Sequence, residues 1–206
     1  VFPEGFAFDY AVYAQNNLTF GGNVEVNGNV FANDGIDFNG NSAEINGDAF
    51  SPETIEDTDN ISGTTVTGVD PIPPPAIDPE EYRLAAQAID PETSTSTLFS
   101  DANDASAYLN GEDRDAVVFV DDTAETKIQG NSTNLVGSLA TMGDLDITGG
   151  TYSATGSYAA IVVYGNLKIA GGATINGIVY ATGATSFGGG NNVINGNAGA
   201  NTLDGG

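Results

Sequence analysis

Three groups of oxygen-bearing side chains are the residues whose type and spacing could do chemistry. Asp144 and Asp146 stand two apart in "MGDLDITGG", Asp121 and Asp122 are adjacent in "AVVFVDD", and Asp101, Asn103 and Asp104 cluster in "SDANDASAYLN". Residues two apart on a strand share a face, so Asp144 and Asp146 could hold their carboxylates together. Two chemistries follow. Paired carboxyls at a fixed separation hydrolyse glycosidic bonds, and converging carboxylate and amide oxygens suit calcium. The rest of the chain speaks against the first. It has no histidine and no cysteine, so the commonest general base and the thiol nucleophile are missing. A β-elimination on acidic sugars needs basic residues around the substrate, and the chain has four: Arg83, Arg114, Lys127 and Lys168. The expectation is therefore a protein that is not an enzyme, with no catalytic residue. All seven residues are candidate calcium ligands.

Those four bases face 28 acids, for a formal charge of −24. Such a surface repels nucleic acid and anionic membranes, because binding either requires Lys and Arg against phosphate. It suits an extracellular or high-salt protein kept in solution by its charge. Nothing approaches the ~20 apolar residues that span a bilayer. The opening "VFPEGFAFDYAVYA" lacks a basic region and is broken by Pro3 and Gly5, so it does not read as a signal peptide. Three Asn-x-Ser/Thr sequons, at Asn17, Asn60 and Asn131, are what chance supplies in an Asn- and Thr-rich chain.

What must position these side chains is a repeat. "QNNLTFGGNVEVNGNVFA" (15–32) and "GNLKIAGGATINGIVYATG" (165–183) follow one pattern: a short alternating run, a Gly corner, a second run, then Asn-Gly and two apolar residues. Aligned on the corner, five copies span 14–32, 32–51, 142–160, 163–181 and 181–200, with a period near 18 or 19. Runs such as Leu18-Thr-Phe20, Val24-Glu-Val26, Leu145-Asp-Ile147 and Leu167-Lys-Ile169 alternate with the period of a strand. They are too short for a sandwich. They suit a coil whose strands stack on the coil below at roughly 4.8 Å, so that only stacking closes the core. Gly and Asn at the corners tolerate left-handed backbone. The fold class is all-β: a parallel β-helix, or β-solenoid, taken as right-handed and forming one domain over 1–206.

The repeat is interrupted over 52–115. "DPIPPPAIDP" (70–79) reads as a polyproline-like strut. A helix over 79–90 follows, with Asp78 as N-cap, Pro79 at N1, and Tyr82, Leu84, Ala85, Ala88 and Ile89 as its apolar set. It is expected to pack along one solenoid face or to cap an end. Residues 91–115 read as a polar surface loop, and "AVVFVDD" (116–122) as a buried strand re-entering the solenoid. The last coils end in "LDGG" with no polar cap, which predicts an uncovered C-terminal edge and hence end-to-end or lateral association, or a continuation of the chain there. Tyr152, Tyr158, Tyr164 and Tyr180 could line a sugar-binding face, although core packing also accounts for them.

Residues 187–195 and 196–204, "FGGGNNVIN" and "GNAGANTLD", resemble the glycine-rich nonapeptides of the RTX β-roll family. That resemblance implies calcium at the sixth position, where Asn192 and Asn201 replace the family's Asp; Phe187 replaces the first Gly. The wider layout resembles the C-terminal region of PilX-type, minor-pilin-like pilus-assembly proteins of bacterial surfaces. The resemblance is carried by "NLTFGGNVEVNGNVFA", "VDPIPPPAIDPEEYRLAA", "AVVFVDD" and "YGNLKIAGGATINGIVYATG". It implies an exported, non-enzymatic structural or adhesive domain of a pilus or filament at the cell surface. Its partners would be itself, other filament subunits or a surface polysaccharide, with no nucleic acid and no membrane contact by this chain. The alternatives are a polysaccharide-binding or polysaccharide-acting β-helix and a self-polymerising filament subunit. Bactofilin-type polymer-forming β-helices share the Gly-Asn coils but lack the insertion.

Overall fold

The computed structural model describes residues 10–39, 42–73, 77–88 and 96–196. The short alternating runs form strands of three to five residues. β1 (Val12–Ala14), β2 (Leu18–Phe20), β3 (Asn23–Asn27), β4 (Val30–Ala32), β5 (Ile36–Phe38), β6 (Ala43–Asn46), β7 (Ala49–Ser51) and β8 (Thr65–Thr67) come first. Helix α1 (Pro79–Gln87), β9 (Leu98–Phe99) and helix α2 (Ala102–Leu109) follow. Next come β10 (Asp113–Val120), β11 (Thr126–Gln129), β12 (Asn134–Thr141), β13 (Leu145–Thr148), β14 (Thr151–Ala154) and β15 (Ile161–Val163). The chain closes with β16 (Leu167–Ala170), β17 (Thr174–Asn176), β18 (Val179–Ala181), β19 (Thr185–Phe187) and β20 (Asn191–Asn195). Every strand pairing is parallel and in register with the coil above or below, which is the parallel β-helix.

Each coil has three sides. One sheet runs β11-β13-β16-β19-β2-β5, and the other strands form a second sheet that bends over two sides. The bend is visible in β12, which pairs with β14 through Asn134–Gly137 and with β15 through Leu139–Thr141. Inward side chains form stacks down the axis. On the first sheet Ile128, Ile147, Ile169, Phe187, Phe20 and Phe38 stand in register, the phenylalanines 5.2 Å apart and stacked.

The coil order departs from the chain order. β20 pairs on one side with β17 and on the other with β3, while β1 and β2 lie on β18 and β19. The N-terminal coils thus stack on the C-terminal ones, and the Gly196 and Ala11 backbones meet at one corner, where a Cβ on Gly196 would collide with Ala11. This corrects the expected uncovered edge: Asn191–Gly196 lies in mid-solenoid, and the tail beyond it, Asn201 included, lies outside the described residues. The ends are elsewhere. At one, α2 buries Ala102, Ala105 and Leu109 in the solenoid's own core. At the other, β8 and the bridges Ile36–Ile55 and Ile45–Ile61 close the stack beside exposed Glu53, Glu56, Asp57 and Asp59.

The insertion is narrower than 52–115. Residues 52–67 form a last partial coil, because Ile55, Ile61 and β8 still find partners, and the solenoid resumes at Asp113. The expected polar loop holds α2, whose N-cap is Asp101 and whose buried residues fall at 102, 105 and 109, a helical spacing. The strut falls partly outside the described residues, as does the end of the predicted helix. Helix α1 starts as predicted, with Asp78 as N-cap and Pro79 next, and lies along one side of the solenoid. There an outward row of Phe119, Ala140, Val162, Tyr180, Tyr13, Phe31 and Phe50 is covered by Ile77, Tyr82 and Ala86. Leu84, expected in the apolar set, is instead 55% exposed.

Candidate functional site

Three of the predicted carboxylates, Asp101, Asp122 and Asp144, accept from backbone N–H groups. Asp101 caps α2, its Oδ1 accepting from the Asn103 N–H at 2.7 Å and the Asn103 amide at 3.1 Å. Asp104 is exposed in the first turn of that helix. Asp122 accepts from the Ala102 and Ala124 N–H groups, at 3.0 Å each, and these donors hold its carboxyl below the usual range. Asp121 is exposed at the end of β10. Asp144 accepts from the Asn166 N–H at 2.7 Å, tying one coil's corner to the next, while Asp146 pairs with Lys168 at 2.9 Å. Asp101 and Asp122 accept from successive N–H groups at the start of α2, whereas Asp144 stands at the corner before β13 and Asp146 on that strand. The structure gathers no group of three or more His, Cys, Asp or Glu fit to hold a metal among the described residues.

Asn192, the RTX-like position, is a corner asparagine buried to 1% exposure. Its Oδ1 accepts from the Gly172 and Ala173 N–H groups at 3.1 and 3.0 Å, and its amide donates to the Gly188 and Gly189 carbonyls at 3.2 Å each. Both ends of the side chain are spent on backbone. The tyrosines do not form an exposed sugar platform. Tyr152 points into the solenoid core. Tyr180 lies stacked on Tyr13 under the covered side, Tyr158 packs edge-on against Tyr82, and Tyr164 donates to the Ile77 carbonyl at 2.7 Å. Burial pushes the phenol of Tyr13 up to about 12 despite its bond from Asn33.

The site that sequence reasoning missed is a sheet face formed by β12, β14, β17, β20, β3 and β6. Strand alternation sends Leu135, Tyr152, Ile175, Ile194, Val26 and Ile45 inward and leaves two rows outside. One row reads Asn134, Thr151, Thr174, Val193, Glu25, Glu44; the other reads Val136, Ser153, Asn176, Asn195, Asn27, Asn46. The second row is a hydrogen-bonded ladder. Asn46 donates to Asn27 at 3.0 Å, Asn27 to Asn195 and Asn195 to Asn176 at 2.9 Å each, and Asn176 to the Ser153 hydroxyl at 3.0 Å. A parallel run Asn23–Asn191 adds one more rung at 2.9 Å. The signal was present in four Asn-Gly pairs of the repeat, at 27, 46, 176 and 195, which were read only as corners.

Charge is confined to the margins of this face. Across β12, β14, β17 and β20 neither row carries a charged residue. Asp113 and Asp115 lie beyond one edge, and Glu25 and Glu44, directly opposite one another, at the other. The third side differs: its outward row is Lys127, Asp146, Lys168, Ser186, Thr19, Asp37. Two shallow depressions, of about 260 and 240 Å³, lie at the acidic margin around Ser42 and Glu44. The second also touches β20 through Asn191, Asn192 and Val193, the last strand of the uncharged part of the face.

No family model and no curated protein matches the chain. Among solved structures, an ice-binding protein from an Antarctic biological consortium is similar at 14% identity and a TM-score of 0.49, covering 91% of this chain and 87% of that one. A glycosylated ice-binding protein from an Arctic yeast is similar at 12% identity and a TM-score of 0.43, covering 92% and 91%. The β-helical architecture rests on the strand pairings themselves.

Proposed function

We propose that this chain is a non-enzymatic extracellular domain that binds an ordered, uncharged polar surface through the ladder face. The observation that carries the reading is the absence of charge from two outward rows over four successive strands, in a chain of formal charge −24. Rungs repeat at roughly 4.8 Å along the axis, and the two rows stand about 6.7 Å apart along the strands. Thr151, Thr174 and Ser153 supply hydroxyls, Val136 and Val193 methyl groups, and the ladder fixes the amide orientations. Holding those groups still before contact removes an ordering cost that a mobile surface would meet on binding. A rigid lattice of hydroxyl-sized repeats is what such a face fits, and ice is the simplest surface of that kind. Ice is also what the two similar solved proteins are named for binding. Display on a pilus or filament, which the PilX-type resemblance implies, would carry this face outward.

A second reading is a neutral polysaccharide, favoured by the same amides and hydroxyls. It is weakened by the aromatic residues, none of which belongs to the two rows.

The test is adsorption of the fluorescently labelled protein to a growing ice crystal, beside pull-down on insoluble cellulose and chitin. Wild type is expected on ice. Thr174→Lys, which places a long charged side chain in mid-row, is expected to lose most of that adsorption with its melting temperature kept. Ser186→Lys on the third side is expected to behave as wild type. Retention on polysaccharide but not ice favours the second reading, and indifference of both surfaces to Thr174→Lys overturns the face altogether.

A further inference from the structure

Each of the four ladder asparagines is followed by glycine: Asn27-Gly28, Asn46-Gly47, Asn176-Gly177 and Asn195-Gly196. The fold requires that glycine at several of these corners, since a Cβ at 47 would strike the Gly28 carbonyl, one at 177 the Ala154 side chain and one at 196 Ala11. Asn-Gly is also the dipeptide in which succinimide formation is easiest, because glycine places no side chain beside the attacking nitrogen. The backbone nitrogen of the glycine bonds to the asparagine Cγ, loses its proton to solvent base, and expels the side-chain amide as ammonia. Water then opens the ring to aspartate or isoaspartate.

The four pairs are not equally guarded. At 27, 176 and 195 the side-chain carbonyl accepts from the next rung. At the same three positions the glycine N–H donates to the neighbouring coil: Gly28 to the Asn46 carbonyl, Gly177 to Asn195 and Gly196 to Asn27, at 3.2 Å each. Electrophile and nucleophile are both held. Asn110-Gly111, off the ladder, is guarded in the same way: Asn110 Oδ1 accepts from Gln129, and the Gly111 N–H donates to Thr133. Asn46 is the last rung. Its amide donates to Asn27 and Glu25, but among the described residues its Oδ1 accepts nothing and the Gly47 N–H donates to nothing. Its side chain is also exposed, whereas the other three rungs are half-buried.

We infer that Asn46-Gly47 is a site of spontaneous modification, the place where this ladder is converted first from amide to carboxylate. Conversion adds a charge beside Glu25 and Glu44 and removes the donor that Asn27 and Glu25 now share. The uncharged face would therefore age from its acidic margin inward.

The experiment incubates the folded protein in mildly alkaline buffer and follows each peptide by mass spectrometry, with a urea-unfolded sample alongside. Asn46 is expected to convert at least about tenfold faster than Asn27, Asn110, Asn176 and Asn195 in the folded sample, since the guarded sites react only through local opening. In urea the five rates should converge. Asn39-Gly40, whose glycine lies outside the described residues, is left out of the comparison. Asn46→Ser makes Asn27 the last rung and is expected to raise the rate at 27, short of the unfolded rate because Gly28 keeps its backbone bond. Equal folded rates at 46 and 176, or an Asn27 rate unmoved by Asn46→Ser, would overturn the inference. None of these outcomes depends on what the face binds.

Discussion

At a solenoid corner an asparagine can do what neither aspartate nor alanine can, because it offers an acceptor and a donor a few ångströms apart. Asn192 uses both, capping two N–H groups of one coil and two carbonyls of its own. Asn192→Ala is expected to cost about 2–4 kcal/mol, because it strands two backbone donors in a buried corner. Asn192→Asp keeps the acceptor but turns a carboxylate toward the Gly188 and Gly189 carbonyls. It should destabilise the fold comparably, despite matching the RTX pattern better. Urea unfolding with and without calcium checks both variants; a stable Asn192→Asp protein, or one that calcium rescues, would restore the RTX interpretation of this tail. Asp144, Asp122 and Asp48 make the same kind of corner bond, with Asp48 accepting from the Thr64 N–H at 2.6 Å. Several of the oxygens that read as metal ligands thus also serve in corner bonds. Type and spacing alone do not separate the two, because calcium and a backbone N–H ask for the same oxygen.

Among the elements, the helices divide what was legible from what was not. The start of α1 could be read because its N-cap and N1 signals are local, and the short strands because period two is local as well. Which face of α1 is buried was misjudged, since it depends on a surface supplied by strands far away in the chain. Tyr82 and Ala86 meet the row through Tyr180, Tyr13 and Phe31, whereas Leu84 looks away. Tyr82→Ala is accordingly expected to cost about 4 kcal/mol, as for a large buried aromatic, and Leu84→Ala well under 1 kcal/mol. Thermal unfolding followed by far-ultraviolet dichroism measures both; equal losses would mean that α1 is not held on this side. The second helix was legible and passed over: Asp101 with Ala102, Ala105 and Leu109 is a capped helical stripe lost in a polar stretch. The coil order was not legible, because parallel pairing of β20 with β3 joins residues some 168 apart and leaves no local trace. The two outward rows were hidden for the same reason. Each strand contributes one residue to each row, most of them polar and none unusual, and only the register aligns them.

For the whole molecule the governing quantity is charge. Acids stand at both ends of the ladder face and around the end of the stack near Glu53, Glu56, Asp57 and Asp59, where unpaired strand edges would otherwise invite another copy. Folding gathers a net charge of −24 into a solenoid, and that self-repulsion opposes compaction. The four bases are each engaged locally, Arg83 with Glu80, Arg114 with Glu112, Lys127 with Glu125 and Lys168 with Asp146, so none is left to neutralise the surface at large. Monovalent salt screens the repulsion over a Debye length of about 8 Å at physiological strength. If screening returns about 2 kcal/mol, the melting temperature of a chain this size rises by about 4–8 °C between low and physiological salt. Calcium would add to that only by binding the folded state at converging ligands, through mass action. The candidate carboxylates do not converge in that way, because Asp101, Asp122 and Asp144 face backbone donors and Asp146 faces Lys168. Melting in calcium chloride, in sodium chloride of equal ionic strength and in EDTA separates the two effects. The expected outcome is coincidence of the calcium and sodium curves, both above a low-salt reference. A calcium curve displaced upward by several degrees would instead make Asp101 and Asp122, which accept from successive N–H groups at the start of α2, the first residues to replace by asparagine.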